Sequence, residues 1–246
     1  MITIAVQAYN QVEFTKMCVE SILKYTNTPY KLILIDNGST DGTLIYFQKV
    51  ARMHDFTEII HYDENRIVEE IANEYLSKVD TEFFIGVTND TIVHNGWAEN
   101  LIDCLKSSDD IGMVGPRANN ISGKQMLYPG AYRSLDEYHI VADKWSTEHK
   151  DEYFEINRVV GMLIAMRMEA FRKTEGYDVN LPTNGKDGGY GFSDDDISQK
   201  MIKAGYRLLI TNDVFIHHFG GVTVGNYTNG IMKNKERYER ILNASH

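Results

Sequence analysis

Three carboxylates in a row, Asp194, Asp195 and Asp196 in GYGFSDDDISQK, stand directly before a helix-like stretch. Neighbouring carboxylates repel, which raises a pKa and suits one of them to take a proton from a reacting hydroxyl. The same position equally suits a cap on the backbone N–H groups of ISQKMIKA, and Asp196 fits that cap best. A second cluster, IDNGSTDGT at 35–43, follows the apolar run LILI and puts the Asp36 carboxylate at a strand terminus. There Gly38 and Gly42 permit the turn, and Ser39, Thr40 or Asp41 can cap the next helix. FFIGVTNDT ends another apolar run in Thr88, Asn89 and Asp90, and FIHHFGG ends a third in His217 and His218. Neighbours in a strand point to opposite faces, so at most one of the two histidines faces a given site.

Positioning these residues takes a layered scaffold. Residues 2–8, 31–36, 57–61 and 82–87 read as short apolar strands, with helix-like spacing between them, in EFTKMCVESILKYT and near 42–53 and 67–78. Such alternation predicts an α/β fold with a mostly parallel, Rossmann-like sheet covered by helices on its faces. Ligands of such sheets sit beyond the carboxyl ends of the strands, where QAYN, DNGSTDGT and TNDT all fall. From 116 to 158 the regularity is lost, and an irregular insertion over the site is expected. RVVGMLIAMRMEAFRKTEGYD then returns to a strand and a helix, and a last strand ends in FIHHFGG.

The chain has 246 residues, 43% of them hydrophobic, enough for a substantial core. No apolar run approaches the roughly 18 residues that span a bilayer. MITIAVQAYN enters a strand pattern without a basic leader, so a cytoplasmic location without a transmembrane segment is expected. Acidic residues outnumber basic ones 35 to 25, for a net charge of -10, and no basic cluster marks a nucleic-acid partner. An anionic ligand therefore needs local compensation. The two cysteines, Cys18 and Cys104, lie in helix-like segments without a metal or disulfide pattern.

IDNGSTDGT closely resembles the VDDGSTDGT signature of family-2 glycosyltransferases, and three further stretches are similar to motifs of that family in the family's order. QAYN stands where the family has a PTYN-like turn, with Gln7 and Ala8 in place of Pro and Thr; FFIGVTNDT stands where it has an Asp-x-Asp or Asn-Asp motif; GYGFSDDDISQKMIKAGYRL matches GEDVDLCLRLRKAGYRI. FIHHFGG is similar to HHGGGS, DENRIVEEIANEYL to the N.G...A.N.G segment through Asn65 and Asn73, and VVGMLIAMRMEAFRKTEGYD to GA.MLIRR.A....GGFD.

The resemblance covers about residues 2–223 and implies the GT-A fold and an inverting, metal-dependent transfer of a sugar from a nucleotide-diphosphate donor to a hydroxyl acceptor, which is a glycan, a lipid-linked glycan or a protein. It implies one domain, with 1–115 holding the nucleotide sugar, 116–223 the acceptor and catalysis, and 224–246 a helical tail; an oligomer is left open. Asp194 is then the base, with Asp195 in reserve. Asp36 accepts a hydrogen bond from the nucleotide base, Gln7, Ala8 and Tyr9 line the base pocket, and Asn89 turns toward the ribose. Arg66 either contacts phosphate or stays in solvent. Asp90 and His217, with His218 behind it, hold Mn²⁺ or Mg²⁺, whose charge offsets that of the diphosphate. Thr88 replaces the family's first metal carboxylate. Gly161 lies under the acceptor site, and Tyr190 and Gly191 adjoin the sugars. The glycine-rich loop at 182–192 is expected to close over the donor, with Gly188 and Gly189 as hinge and Lys186 and Tyr190 as contacts. Two other readings are a non-catalytic sugar-nucleotide-binding protein and a sugar-nucleotide pyrophosphorylase, which would need the phosphate-binding glycines that QAYNQVEF lacks.

Overall fold

β1 (Ile2–Ala8) is buried on both faces of a sheet, with Ile2, Ile4 and Val6 on one face and Ala5 on the other. The structure, a computed structural model, describes residues 1–181, 191–220 and 238–239. After β1 the chain alternates through α1 (Val12–Tyr25), β2 (Tyr30–Asn37), α2 (Thr43–Met53), β3 (Thr57–Tyr62), α3 (Val68–Leu76) and β4 (Phe83–Thr88). Then follow the two-residue β5 (Thr91–Ile92), α4 (Trp97–Lys106), β6 (Ile111–Ala118), α5 (Leu135–Glu148), β7 (Tyr153–Ile156), β8 (Leu163–Arg167), α6 (Met168–Arg172), α7 (Ser193–Lys203) and β9 (Arg207–His218).

The strands form one sheet in the order β3-β2-β1-β4-β8-β6-β9-β5, with β7 also paired to β9. β3, β2, β1 and β4 are parallel; β8 lies antiparallel between β4 and β6; and β6 and β9 are again parallel. Six strands thus share one direction, so their carboxyl ends collect along one edge, as the sequence pattern predicts.

Both faces are covered. Ile4, Val6, Leu34 and Ile85 pack with Val19 and Ile22 of α1, Phe47 of α2 and Trp97 and Leu101 of α4. On the other face Ile35, Phe84 and Met166 pack with Ile71 and Tyr75 of α3, Phe171 of α6 and Ile197 and Met201 of α7. Each fully buried side chain of this size contributes about 1.5–3 kcal/mol before conformational entropy is counted. Arg167 is tied down beneath the sheet, donating to the carbonyls of Leu105 and Ile111 and pairing with Glu82 at 3.3 Å. Among the described residues no helix is long and apolar enough to cross a membrane.

The segment 116–158 is more ordered than its sequence pattern implies, because it carries the 14-residue helix α5 and strand β7. Ser134 caps α5 by accepting the Glu137 N–H, while the Glu137 carboxylate accepts the Arg133 N–H. Tyr138 is fully buried and donates its hydroxyl to the carbonyls of Ile92 and Phe215, which fastens α5 across β5 and β9. The tail 224–246, apart from Tyr238 and Glu239, lies outside the described residues.

Candidate active site

The IDNGSTDGT turn uses nearly every polar atom it has. Asn37 donates to Asn65 Oδ1 and to the Arg66 carbonyl and accepts the Arg66 N–H, so it clamps the loop that follows β3. Gly38 has φ +77, and a Cβ there would run into the backbone of Glu64 and Asn65, so only glycine fits. Ser39 Oγ accepts the Asn10 N–H at 2.8 Å, and Asn10 Oδ1 accepts the Thr40 N–H at 2.8 Å, which joins this turn to the one after β1. Asp41 accepts from Thr43 N–H at the start of α2 and from Val12 N–H at the start of α1, so one carboxylate caps two helices. Burial works against its charge, but these donors hold the Asp41 pKa below the usual value.

Asp36 itself is fully buried. Its Oδ1 accepts the Ser39 N–H at 3.1 Å, and its Oδ2 lies 2.8 Å from Nδ1 of His61 on β3. Direct contact between this carboxylate and a base, expected from the sequence, is therefore closed off by its own neighbours. Gln7 and Tyr9 are partly exposed and Ala8 is buried at the carboxyl end of β1.

Two other expectations for the nucleotide are corrected. Asn89 is 5% exposed and donates to Thr15 Oγ1 and the Asn10 carbonyl, so its amide locks the turn after β1 and is not free to turn toward a ribose. The Arg66 guanidinium lies over the Tyr62 ring and pairs with Glu74 at 3.2 Å and Glu70 at 3.7 Å. In this structure its charge faces the acidic residues of α3.

β5 pairs antiparallel with the end of β9, with Thr91 opposite His218, and this brings the TNDT loop against the two histidines. Asp90 Oδ1 accepts the Thr88 hydroxyl at 2.8 Å, so the threonine that replaces a carboxylate orients the one that is left. Asp90 Oδ2 lies 3.3 Å from His218 Nε2. His217, the histidine expected beside Asp90, points to the other side of the strand, where its Nδ1 meets Tyr132 Oη at 2.8 Å among the rings of Tyr132, Tyr138 and Phe219. Burial, helped by the neighbouring His218, pushes the His217 pKa down.

The His218–Asp90 pair passes a chemical test for a cation. His218 Nδ1 is 3.1 Å from the Asn120 carbonyl, which fixes the proton on Nδ1. Nε2 and Asp90 Oδ2 are then both acceptors facing each other, an arrangement that calls for a proton or a metal ion between them. Burial opposes both charges, yet the pair overcomes it: His218 is shifted up by Asp90, and Asp90 is shifted down by His218 and Thr88. An imidazole whose other N–H is held by a carbonyl is a common metal-ligand arrangement. Among the described residues no three His, Cys, Asp or Glu side chains converge.

The remaining site lies at the start of α7. Gly191 and Phe192 both have positive φ, +78 and +72, and this double left-handed turn delivers Ser193 and the three aspartates into the first turn of the helix. Phe192 stacks on Tyr238 with ring centroids 5.6 Å apart. Asp194 Oδ2 accepts the Gly161 N–H at 2.9 Å, and a Cβ on Gly161 would overlap Asp194 Oδ1. Burial raises the Asp194 pKa and Asp195 adds to it, against the opposing effects of the Gly161 N–H and Arg158. Asp195 pairs with Arg158 Nε at 3.3 Å, and burial raises its pKa despite that cation. Contrary to the expectation from the sequence, Asp196 does not cap α7, because the cap position falls to Phe192; its carboxylate instead pairs with Lys200 at 2.6 Å. Beside Arg158 a cleft of about 280 Å³ opens, lined by Ser122, Lys124, Gln125, Glu155 and Val160 among others. Tyr190 and residues 182–189, including the expected hinge and Lys186, lie outside the described residues.

His61 and Arg158 are the residues the sequence pattern passed over. Each is defined by a partner on a distant strand or helix, Asp36 and Asp195, with no local motif of its own.

The sequence profile described as Glycosyl transferase family 2 matches residues 3–174. Over 115 residues, 47% of the chain, it is 25% identical to an uncharacterized glycosyltransferase of Haemophilus influenzae, covering 36% of that protein. It is 26% identical over 115 residues to glycosyltransferase GlyG of Streptococcus pneumoniae, covering 38%. The chain thus spans well under half the length of these curated relatives. Among solved structures it matches mannosyltransferase PcManGT from Pyrobaculum calidifontis, in complex with GDP-Man and Mn²⁺, with a TM-score of 0.66 and 16% identity over 97% of this chain and 64% of that one. S. aureus TarS 1–349 in complex with UDP-GlcNAc gives a TM-score of 0.63 and 13% identity over 88% of this chain and 58% of that one. Likeness at such low identity establishes a shared fold.

Proposed function

This chain belongs to glycosyl transferase family 2 and has the GT-A fold, and on that premise we propose that it moves a sugar from a nucleotide-diphosphate donor to a hydroxyl acceptor with inversion at the anomeric carbon. The observation that carries the proposal is Asp194, a partly buried carboxylate with a raised pKa and one oxygen fixed by Gly161. Its Oδ1 is then the proton acceptor. As the acceptor oxygen bonds to the anomeric carbon, its proton passes to Asp194 and the bond from that carbon to the diphosphate breaks, the electron pair leaving with the diphosphate.

Residues 1–115 are read as the donor half, with Gln7, Ala8, Tyr9 and Asp36 at the base end. Residues 116–223 are read as the acceptor half, with the cleft beside Arg158 as the acceptor's way in. Asp90 and His218 would hold a divalent cation, in keeping with the Mn²⁺ of the mannosyltransferase complex, and its charge would offset that of the leaving diphosphate.

The test is to incubate the protein with nucleotide sugars and Mn²⁺ on a glycan array and to read nucleoside diphosphate release and the anomeric configuration of the product. Acceptor-dependent release with inverted configuration is expected. Retained configuration contradicts the mechanism, and binding without release would make the protein a non-catalytic sugar-nucleotide binder.

A further inference from the structure

The carboxylate at the end of β2 is sealed. Asp36 is 0% exposed, and each of its oxygens already has a partner, the Ser39 N–H at 3.1 Å and His61 Nδ1 at 2.8 Å. His61 stands in register with Asp36 on the adjacent parallel strand and near its carboxyl end, so it belongs to the edge where the ligand loops converge. Unlike Asp36 it reaches the surface, with a side chain 37% exposed.

An ionised carboxylate only accepts hydrogen bonds, so the hydrogen between the two side chains belongs to His61 Nδ1. In the neutral imidazole this leaves Nε2 as a bare acceptor. Among the described residues Asp63 Oδ1 lies 3.6 Å from Nε2, too far for a hydrogen bond, and the Asp63 side chain is fully exposed to water. In its neutral form the pair therefore presents one outward lone pair whose direction is set by a buried residue.

We infer that His61, oriented by Asp36, is the side chain that reads the donor's base, and that Nε2 selects a base carrying a ring N–H on its Watson–Crick edge: uracil, thymine or guanine. Cytosine and adenine present a ring nitrogen acceptor at that position and would set lone pair against lone pair. The inference rests on the nucleotide-sugar reading above and assigns Asp36 a positioning role. A base reaching Asp36 directly would have to displace His61 or the Ser39 N–H.

The test is calorimetric titration with Mn²⁺ and two matched pairs of nucleoside diphosphates, UDP against CDP and GDP against ADP. In the better-binding pair the member with the ring N–H is expected to bind about tenfold more tightly or better, the cost of an unmade buried hydrogen bond. His61→Ala is expected to erase that difference while leaving affinity for inorganic pyrophosphate with Mn²⁺ unchanged, which also reports an intact fold. Asp36→Asn is expected to reverse the preference. The Ser39 N–H cannot change role and keeps the Asn oxygen, so the Asn NH₂ faces Nδ1 and moves the imidazole hydrogen to Nε2.

An undiminished preference in His61→Ala, or a wild-type preference for CDP or ADP, or none, overturns the inference while leaving nucleotide binding standing. Failure of all four to bind the wild type overturns the nucleotide-sugar reading and this inference with it.

Discussion

Asp194 carries two opposing demands, since the burial that raises its pKa and suits it to accept a proton also makes its charge costly to hold. A carboxyl whose folded pKa lies above its unfolded value contributes stability below the unfolded pKa and loses it as pH rises through the folded one. At neutral pH the charge on Asp194 therefore works against the fold, and Asp194→Asn is expected to raise Tm at pH 7. The gain should vanish below about pH 3, where both forms are neutral. A lower Tm at pH 7 would mean the carboxylate is held by partners stronger than the Gly161 N–H. At the paired histidines, His218→Ala is expected to weaken Mn²⁺ binding in the presence of pyrophosphate by about tenfold or more, and His217→Ala to leave it nearly unchanged, as calorimetry can read. The carboxylates themselves were legible in the sequence because each sits in a short motif at a strand or helix end. Which histidine meets Asp90 was not, because that depends on how β9 registers against β5, more than a hundred residues earlier. Asn89 was misread for the same reason: its amide is claimed by Asn10 and Thr15, distant in sequence.

At the level of elements, the strands and helices through residue 88 follow the sequence pattern to within about two residues, since alternating and helical periodicities are local signals. Helix α5 escaped that reading because only Tyr138 and Ala142 of its 14 residues are buried, too thin a stripe for a clear helical period. The signal that was available is SLDE at 134–137, a capping pattern with Ser134 at the cap and Glu137 three residues on. Ser134→Ala is expected to cost about 1 kcal/mol, seen as a lower urea midpoint at unchanged slope. No shift would show that α5 is held by Tyr138 and Trp145 alone. The junctions at Gly38 and Gly161 belong to this scale too, since each glycine lets one element approach another more closely than a side chain allows. Their need for glycine comes from Glu64 and Asp194, and neither partner is near in sequence.

Across the whole molecule, the shared direction of six strands gathers the turns after β1 and β2, the TNDT loop and the end of β9 on one edge, and α7 brings Asp194 to it through Gly161. This convergence was foreseeable from the alternation of strands and helices, whereas the antiparallel insertion of β8 between β4 and β6 was not, because pairing order is a tertiary choice. With a net charge of -10, the protein would have to meet the proposed anionic donor through local groups and a cation. The central claim is that Asp194 takes the acceptor's proton and does little to hold the donor. It is tested most directly by measuring nucleotide-sugar affinity and turnover side by side in the wild type and in Asp194→Asn. The account predicts turnover reduced by about a hundredfold or more with donor affinity within about twofold; wild-type turnover in the variant, or a loss of affinity as large as the loss of rate, would contradict it.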